Sequence, residues 1–157
     1  MNAFLRALAR AFMRLCFPSV KQLPTAQLAV WLGDATRPPP LLLDVRQPEE
    51  FAVSQLVEAR RVDFSTNAAA VLANVPPDQP VVCYCAAGFR SSIMARRLAR
   101  AGHVEVFNLE GAIFDWASEG RPLVNARGAT REVHPFNRMG RLMLPGENCA
   151  QVSPLRH

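Results

Sequence analysis

The chain has 157 residues, 50% hydrophobic and 20% charged, which suits one globular domain with modest extensions and excludes a disordered acidic tail or a collagen-like polymer. Lys and Arg number 18 against 13 Asp and Glu, giving a formal net charge of +5 that favours anionic partners. The basic residues are spread along the sequence and only 8% of residues are aromatic, so nucleic acid is not the expected partner.

Residues 1–17 predict an amphipathic helix. At roughly 100° per residue, Arg6, Arg10 and Arg14 fall in a stripe about 80° wide, leaving Phe4, Leu5, Leu8, Ala11, Phe12 and Leu15 in a broad apolar remainder. Three Arg at about 2.5 to 3.5 kcal/mol each argue against a membrane span, and a secretory leader needs an unbroken apolar core. The helix is expected to dock on its own domain or on a second copy, making a homodimer; peripheral membrane contact through residues 1–17 is the alternative. Pro18 ends it, and Cys16 within it reads as a small apolar residue.

From residue 20 the pattern changes to short units. A strand is expected over 20–23 and a helix over 25–32, and Gly33 with Pro38, Pro39 and Pro40 forces an extended connection. Residues 41–45 form an unbroken apolar run, the mark of a strand buried on both faces. Gln47 and Pro48 break it before a helical turn at 49–51. A helix is expected over 66–74, a second buried strand over 81–84 and a helix over 91–101. That helix sets Ile93, Met94 and Leu98 inward and Arg96, Arg97 and Arg100 outward. A strand over 104–107 and a helix over 111–118 complete the series, which Gly120, Arg121 and Pro122 close. Strands alternating with helices in this way imply a parallel sheet covered on both faces, with ligands beyond the carboxyl ends of its strands.

The last 33 residues, 125–157, lack a long periodic stretch; Val133, His134, Pro135 and Phe136, with Leu142, Met143 and Leu144, are expected to pack on the domain or the first helix. The organisation is therefore a helical extension at 1–19, a domain at 20–124 and a basic extension at 125–157. The four Cys, at 16, 83, 85 and 149, form no CxxC pair and are too few for a disulfide scaffold, which points to a reducing compartment. His103, His134 and His157 lack zinc-site spacing, so neither a metal nor another cofactor is expected.

The strand at 81–84 runs into Cys85, Ala86, Ala87, Gly88, Phe89, Arg90 and Ser91, where a helix starts. Small residues and a Gly let the backbone curl so that amide N–H groups converge on an anion at the positive end of the helix. Such a nest stabilises a thiolate, which makes Cys85 the candidate nucleophile, with a pKa expected below the free value of about 8.5. Arg90 fits two roles, attraction of an anionic substrate or a salt bridge clamping the loop. Cys83, two residues back on the strand, reads as a small buried residue or as an assisting second thiol. His134 and Cys149 read as packing residues.

CAAGFRS at 85–91 resembles the active-site loop of the rhodanese family of sulfurtransferases. LLDVRQPEEF at 42–51 is similar to that family's LLDVRxPxEF signature, and LEGAIFDW at 109–116 resembles its LxGGxxxW ending; the order and spacing match over about 20–124. The resemblance implies a doubly wound α/β domain with a five-stranded parallel sheet and helices on both faces. It places Cys85 at the catalytic position, Ala86 to Ser91 in the anion-cradling loop, and Asp44 and Arg46 in a supporting pair. The usual GHIxGAxN segment departs here: Gln55 replaces the His, and Ser54 and Glu58 replace two Gly, so this loop is expected to run differently.

The implied activity is transfer of a sulfane sulfur from thiosulfate or another persulfide donor, through a Cys85 persulfide, to cyanide or a thiol acceptor. A small anionic donor and a thiol acceptor are thus the expected partners, with a protein sulfur acceptor a further candidate. The alternatives are a persulfide relay or a non-catalytic module binding a protein. A phosphatase or arsenate reductase is disfavoured, because such enzymes bracket five residues between Cys and Arg and this loop brackets four. The expected setting is a bacterial cytoplasm, or the inner face of its membrane.

Overall fold

A computed structural model describes residues 2–152; Met1, Arg156 and His157 lie outside the described residues. Strands β1 (Lys21–Pro24), β2 (Leu41–Asp44), β3 (Arg60–Arg61), β4 (Val81–Tyr84) and β5 (Val106–Glu110) form one parallel sheet in the order β1-β5-β4-β2-β3. The helices are α1 (Asn2–Cys16), α2 (Thr25–Gly33), α3 (Pro48–Val53), α4 (Ala68–Leu72), α5 (Phe89–Arg100) and α6 (Ala112–Ser118).

Alternation along the central strands divides the core. Leu42, Val82 and Tyr84 face one side, where they meet Leu28 and Trp31 of α2 and Ile113, Phe114 and Trp116 of α6. Leu43, Val45, Val81, Cys83 and Cys85 face the other, against Val71 of α4 and Met94, Ala95 and Leu98 of α5. All four residues of β4 are buried, as a central parallel strand covered on both faces requires.

Of the boundaries that differ from the sequence expectation, three have identifiable reasons. Strand β5 starts at Val106 rather than 104 and runs on through Asn108 and Glu110, whose polar side chains find partners in Gln22 and Arg14. Helix α5 begins two residues early, at Phe89, because Gly88 at φ 111° supplies the left-handed residue before its first turn. Helix α4 begins at Ala68, since the Asn67 side chain accepts the Ala70 N–H.

The two extensions pack on this domain. Strands β6 (Leu123–Asn125) and β7 (Gly128–Thr130) make an antiparallel hairpin, and α7 (Arg138–Met143) is followed by a 3-10 turn at Gly146–Asn148. Val133 and Leu144 are buried in the α2/α6 side of the core, and His134 is buried beside them. Helix α1 lies across the carboxyl ends of β4 and β5, with Met13 and Phe17 in the α5 side of the core and Leu5 and Ala9 against the other. Its Arg stripe runs along the edge of this contact and reaches the domain's carboxylates: Arg14 pairs with Glu110 (2.5 and 2.9 Å), Arg6 with Asp115 (2.6 Å), and Arg10 also with Asp115. Arg6 further donates to the Met143 carbonyl of α7 at 2.9 Å. No helix among the described residues is long and apolar enough to cross a membrane.

Candidate active site

The chain leaves β4 at Tyr84 and must reverse into α5 within four residues, a turn that the left-handed Gly88 permits. A Cβ at Gly88 would approach Met13 Cγ to 3.4 Å and Asn108 Nδ2 to 3.7 Å, in a conformation that a side chain strains. The turn brings the Gly88 N–H to 3.2 Å from Cys85 Sγ, and the Ser91 hydroxyl, one turn into α5, to 3.4 Å from it. Two donors thus converge on one sulfur at the positive end of a twelve-residue helix. The Cys85 and Ala86 carbonyls accept the Ile113 and Phe114 N–H groups, both at 3.2 Å, tying the loop to the start of α6.

Arg90 is held elsewhere. Its Nη1 and Nη2 donate to the two oxygens of the fully buried Glu50 at 2.8 and 2.9 Å, and its guanidinium lies 4.6 Å from the centre of the Phe136 ring. Glu50 Oε2 also accepts the Gln47 N–H at 3.0 Å, closing the capping box of α3. The geometry shows Arg90 in the clamp, joining the 85–91 loop to α3.

Asp44 and Arg46 form a fully buried pair. Arg46 donates through Nε to Asp44 Oδ1 (2.9 Å) and through Nη2 to Oδ2 (2.6 Å), and Nη2 reaches the Ser54 carbonyl at 2.6 Å. The Tyr84 hydroxyl accepts the Leu56 N–H at 3.2 Å; burial, reinforced by the Asp44 charge, pushes that phenol well up. These bonds hold the 54–58 segment at the edge of the sheet. There Gln55 makes a backbone bridge to Val124, and Glu58 keeps a left-handed φ of 62° where the resemblance has a Gly.

Cys83 shares the α5 face of the sheet with Cys85. Burial first, and then the neighbouring Cys85, pushes its thiol far up, which favours the reading of Cys83 as a small buried residue over that of an assisting thiol. All four cysteines are free, Cys16 exposed and Cys149 partly so. No cluster of His, Cys, Asp or Glu among the described residues could hold a metal.

Cys85 itself is 2% exposed. Met13 covers Gly88 from above, and Phe17 meets Phe89 edge to face at 5.6 Å. On another side Phe136, at φ 63°, lies over Arg90, and its N–H donates to His134 Nδ1 at 2.9 Å. Burial lowers the His134 pKa, favouring the neutral ring that can accept this bond. Sequence reading gave no role of their own to Glu50, Glu110, Asp115 or Met13, and gave Phe136 only packing on the domain or the first helix. Only Glu50 carried a local signal, through its capping-box spacing from Gln47.

The Rhodanese-like domain family model matches residues 26–119. A sulfurtransferase of Allochromatium vinosum is 34% identical over 88 residues, 56% of this chain and 81% of that protein. A probable adenylyltransferase/sulfurtransferase MoeZ of Mycobacterium tuberculosis is 33% identical over 82 residues, 52% of this chain and 21% of that protein. Among solved structures, a thiosulfate sulfurtransferase from Pseudomonas aeruginosa superposes with a TM-score of 0.64 at 23% identity, covering 85% of this chain and 25% of that one. A rhodanese-like domain protein from Staphylococcus aureus gives 0.58 at 26% identity, covering 68% and 98%.

Proposed function

The chain belongs to the rhodanese-like domain family, and from that premise we propose that it is a sulfurtransferase that carries a sulfane sulfur on Cys85. The observation that carries this reading is the convergence of the Gly88 N–H and the Ser91 hydroxyl on Cys85 Sγ at the head of α5. Those donors stabilise negative charge on sulfur, first on the thiolate and then on the persulfide.

In the first half-reaction the Cys85 thiolate attacks the outer sulfur of thiosulfate or another sulfane donor. The donor's S–S bond breaks, sulfite or a thiolate leaves with the electron pair, and a Cys85 persulfide anion remains. In the second, cyanide or a thiolate attacks the terminal sulfur, and the Cys85 thiolate is released. Because the enzyme alternates between two covalent states, ping-pong kinetics follow. Arg90 and Glu50 hold the loop in register with α3, and Asp44 and Arg46 hold the 54–58 segment. The sulfurtransferase of Allochromatium vinosum supports the reaction class, and the choice of thiosulfate as donor is part of the proposal.

A persulfide relay with a protein partner is the second reading, favoured by the 2% exposure of Cys85 beneath Met13 and Phe17. A partner that displaces α1 or the 134–137 turn would gain wider access to the sulfur. One experiment separates these readings: intact mass after incubation with thiosulfate, for the unaltered protein, Cys85→Ser and Cys83→Ser, followed by cyanide or a thiol. One added sulfur on the unaltered protein and Cys83→Ser, absent from Cys85→Ser and removed by the acceptor, is the expected result. Absence of an adduct with thiosulfate, together with one from a protein persulfide, would transfer the reading to the relay. An adduct that survives in Cys85→Ser would overturn both.

A further inference from the structure

Helix α1 packs on the domain through Leu5, Ala9 and Met13, with its Arg stripe beside them reaching Asp115 and Glu110. Four large apolar residues are left facing water: Phe4 is 71% exposed, Leu8 58%, Phe12 53% and Leu15 81%. At roughly 100° per residue these four lie within an arc of about 80°, with only Ala7 and Ala11 beside them on one flank and no charge between. On α7, which packs against α1, Met139 and Leu142 are also exposed. None of these six side chains belongs to either side of the core.

We propose that this outward face of α1 is a docking surface for an anionic lipid bilayer, in which the helix lies in the interface plane. Two observations select lipid over a second copy. The four α1 side chains expose on the order of 500 Å², more than scattered apolar residues do but short of the roughly 800 Å² per partner that a stable dimer buries. The charge balance there is positive: the three Arg of α1 meet only two carboxylates, Asp115 and Glu110, and α5 and α7 carry Arg and no Asp or Glu. Arg6 and Arg10 share the single carboxylate of Asp115, so a positive charge is left over there, and Arg14 reaches Glu110 from an exposed position. Two copies meeting through this face would set like charges against each other, whereas anionic headgroups complement them. The helix is about 22 Å long, and its apolar arc faces outward along that length, the arrangement an interfacial helix needs. Met13 and Phe17 then place the 85–91 loop directly behind the docked face.

The test is co-sedimentation of the full chain with vesicles of phosphatidylglycerol and phosphatidylcholine at about 3:7 and of phosphatidylcholine alone, beside light scattering to determine its mass in solution. Binding to the anionic vesicles is expected. It should fall at least about tenfold in a variant carrying Phe4→Ser, Leu8→Ser, Phe12→Ser and Leu15→Ser, with the protein a monomer in solution. A Leu8→Trp variant serves as an independent reporter, and its added emission should shift to the blue with anionic vesicles, whether or not the fourfold variant folds. Failure of the unaltered chain to bind, equal binding by a folded fourfold variant, or unshifted Leu8→Trp emission would overturn the proposal. Equal binding to phosphatidylcholine alone would overturn its anionic basis. A dimer that the fourfold variant converts to monomer would overturn it in favour of a second copy.

Discussion

The pairing of Arg90 with Glu50 can be measured as a coupling energy. Glu50 is fully buried and accepts three hydrogen bonds, two from Arg90 and one from the Gln47 N–H, while the Arg90 side chain is 17% exposed. Glu50→Ala strips the guanidinium of its partner, which for a buried pair costs about 3 to 5 kcal/mol, with the lower end appropriate because Arg90 keeps some water. Loss of the α3 capping box adds about 1 kcal/mol, giving roughly 4 kcal/mol. Arg90→Ala leaves an unpaired charge with no access to water and should cost at least as much. The double variant loses both charges together, so its cost should fall short of the sum by about 2 to 3 kcal/mol. Urea unfolding followed by circular dichroism, under reducing conditions and with matched m values, gives all three numbers. A Glu50→Ala cost below about 1 kcal/mol, or additivity within about 0.5 kcal/mol, would refute the clamp. A rise in donor KM for Arg90→Ala with no loss of stability would return Arg90 to substrate binding.

Ser91→Ala removes one of the two donors to Cys85 Sγ, at 3.4 Å, so kcat/KM for sulfur transfer should drop about five- to tenfold with the fold intact. An unchanged rate would show that Gly88 alone suffices. Glu58 holds φ at 62°, a conformation costing a side chain about 1 to 2 kcal/mol, so Glu58→Gly should raise Tm by roughly 2 °C after the entropy cost of Gly is subtracted. Acidification should loosen the 133–144 segment. Burial depresses the His134 pKa, so the unfolded chain takes up the proton first, near 6.5; stability is full above that value and falls as pH drops through the lower folded value. The urea midpoint should therefore fall further between pH 7.5 and 5.5 in the unaltered protein than in His134→Asn, and equal losses would contradict the assignment.

What the sequence revealed and what it hid follow from how far apart the interacting residues lie. The unbroken runs that became β2 and β4, and the Cys85-to-Ser91 turn between β4 and α5, were legible because each is contiguous. Strand β3 is two arginines, visible only through their register with Leu43 and Asp44. The end of β5 was hidden because Asn108 and Glu110 look unlike a strand until Gln22 and Arg14 are placed beside them. The three-arginine stripe of α1 was plain, yet its partners Glu110 and Asp115 lie roughly a hundred residues away. The clamp made by Arg90 was likewise hidden, because its partner Glu50 lies forty residues earlier.

Cys85, Gly88 and Ser91 ride on a single strand–turn–helix unit, while the residues over them come from the two ends of the chain. Reactivity and accessibility are therefore written in separate stretches of sequence. On the proposed sulfur-transfer reading, substitutions in α1 or in 133–144 would change which molecule reaches the sulfur while leaving the donors to it in place, so clients and chemistry would vary separately.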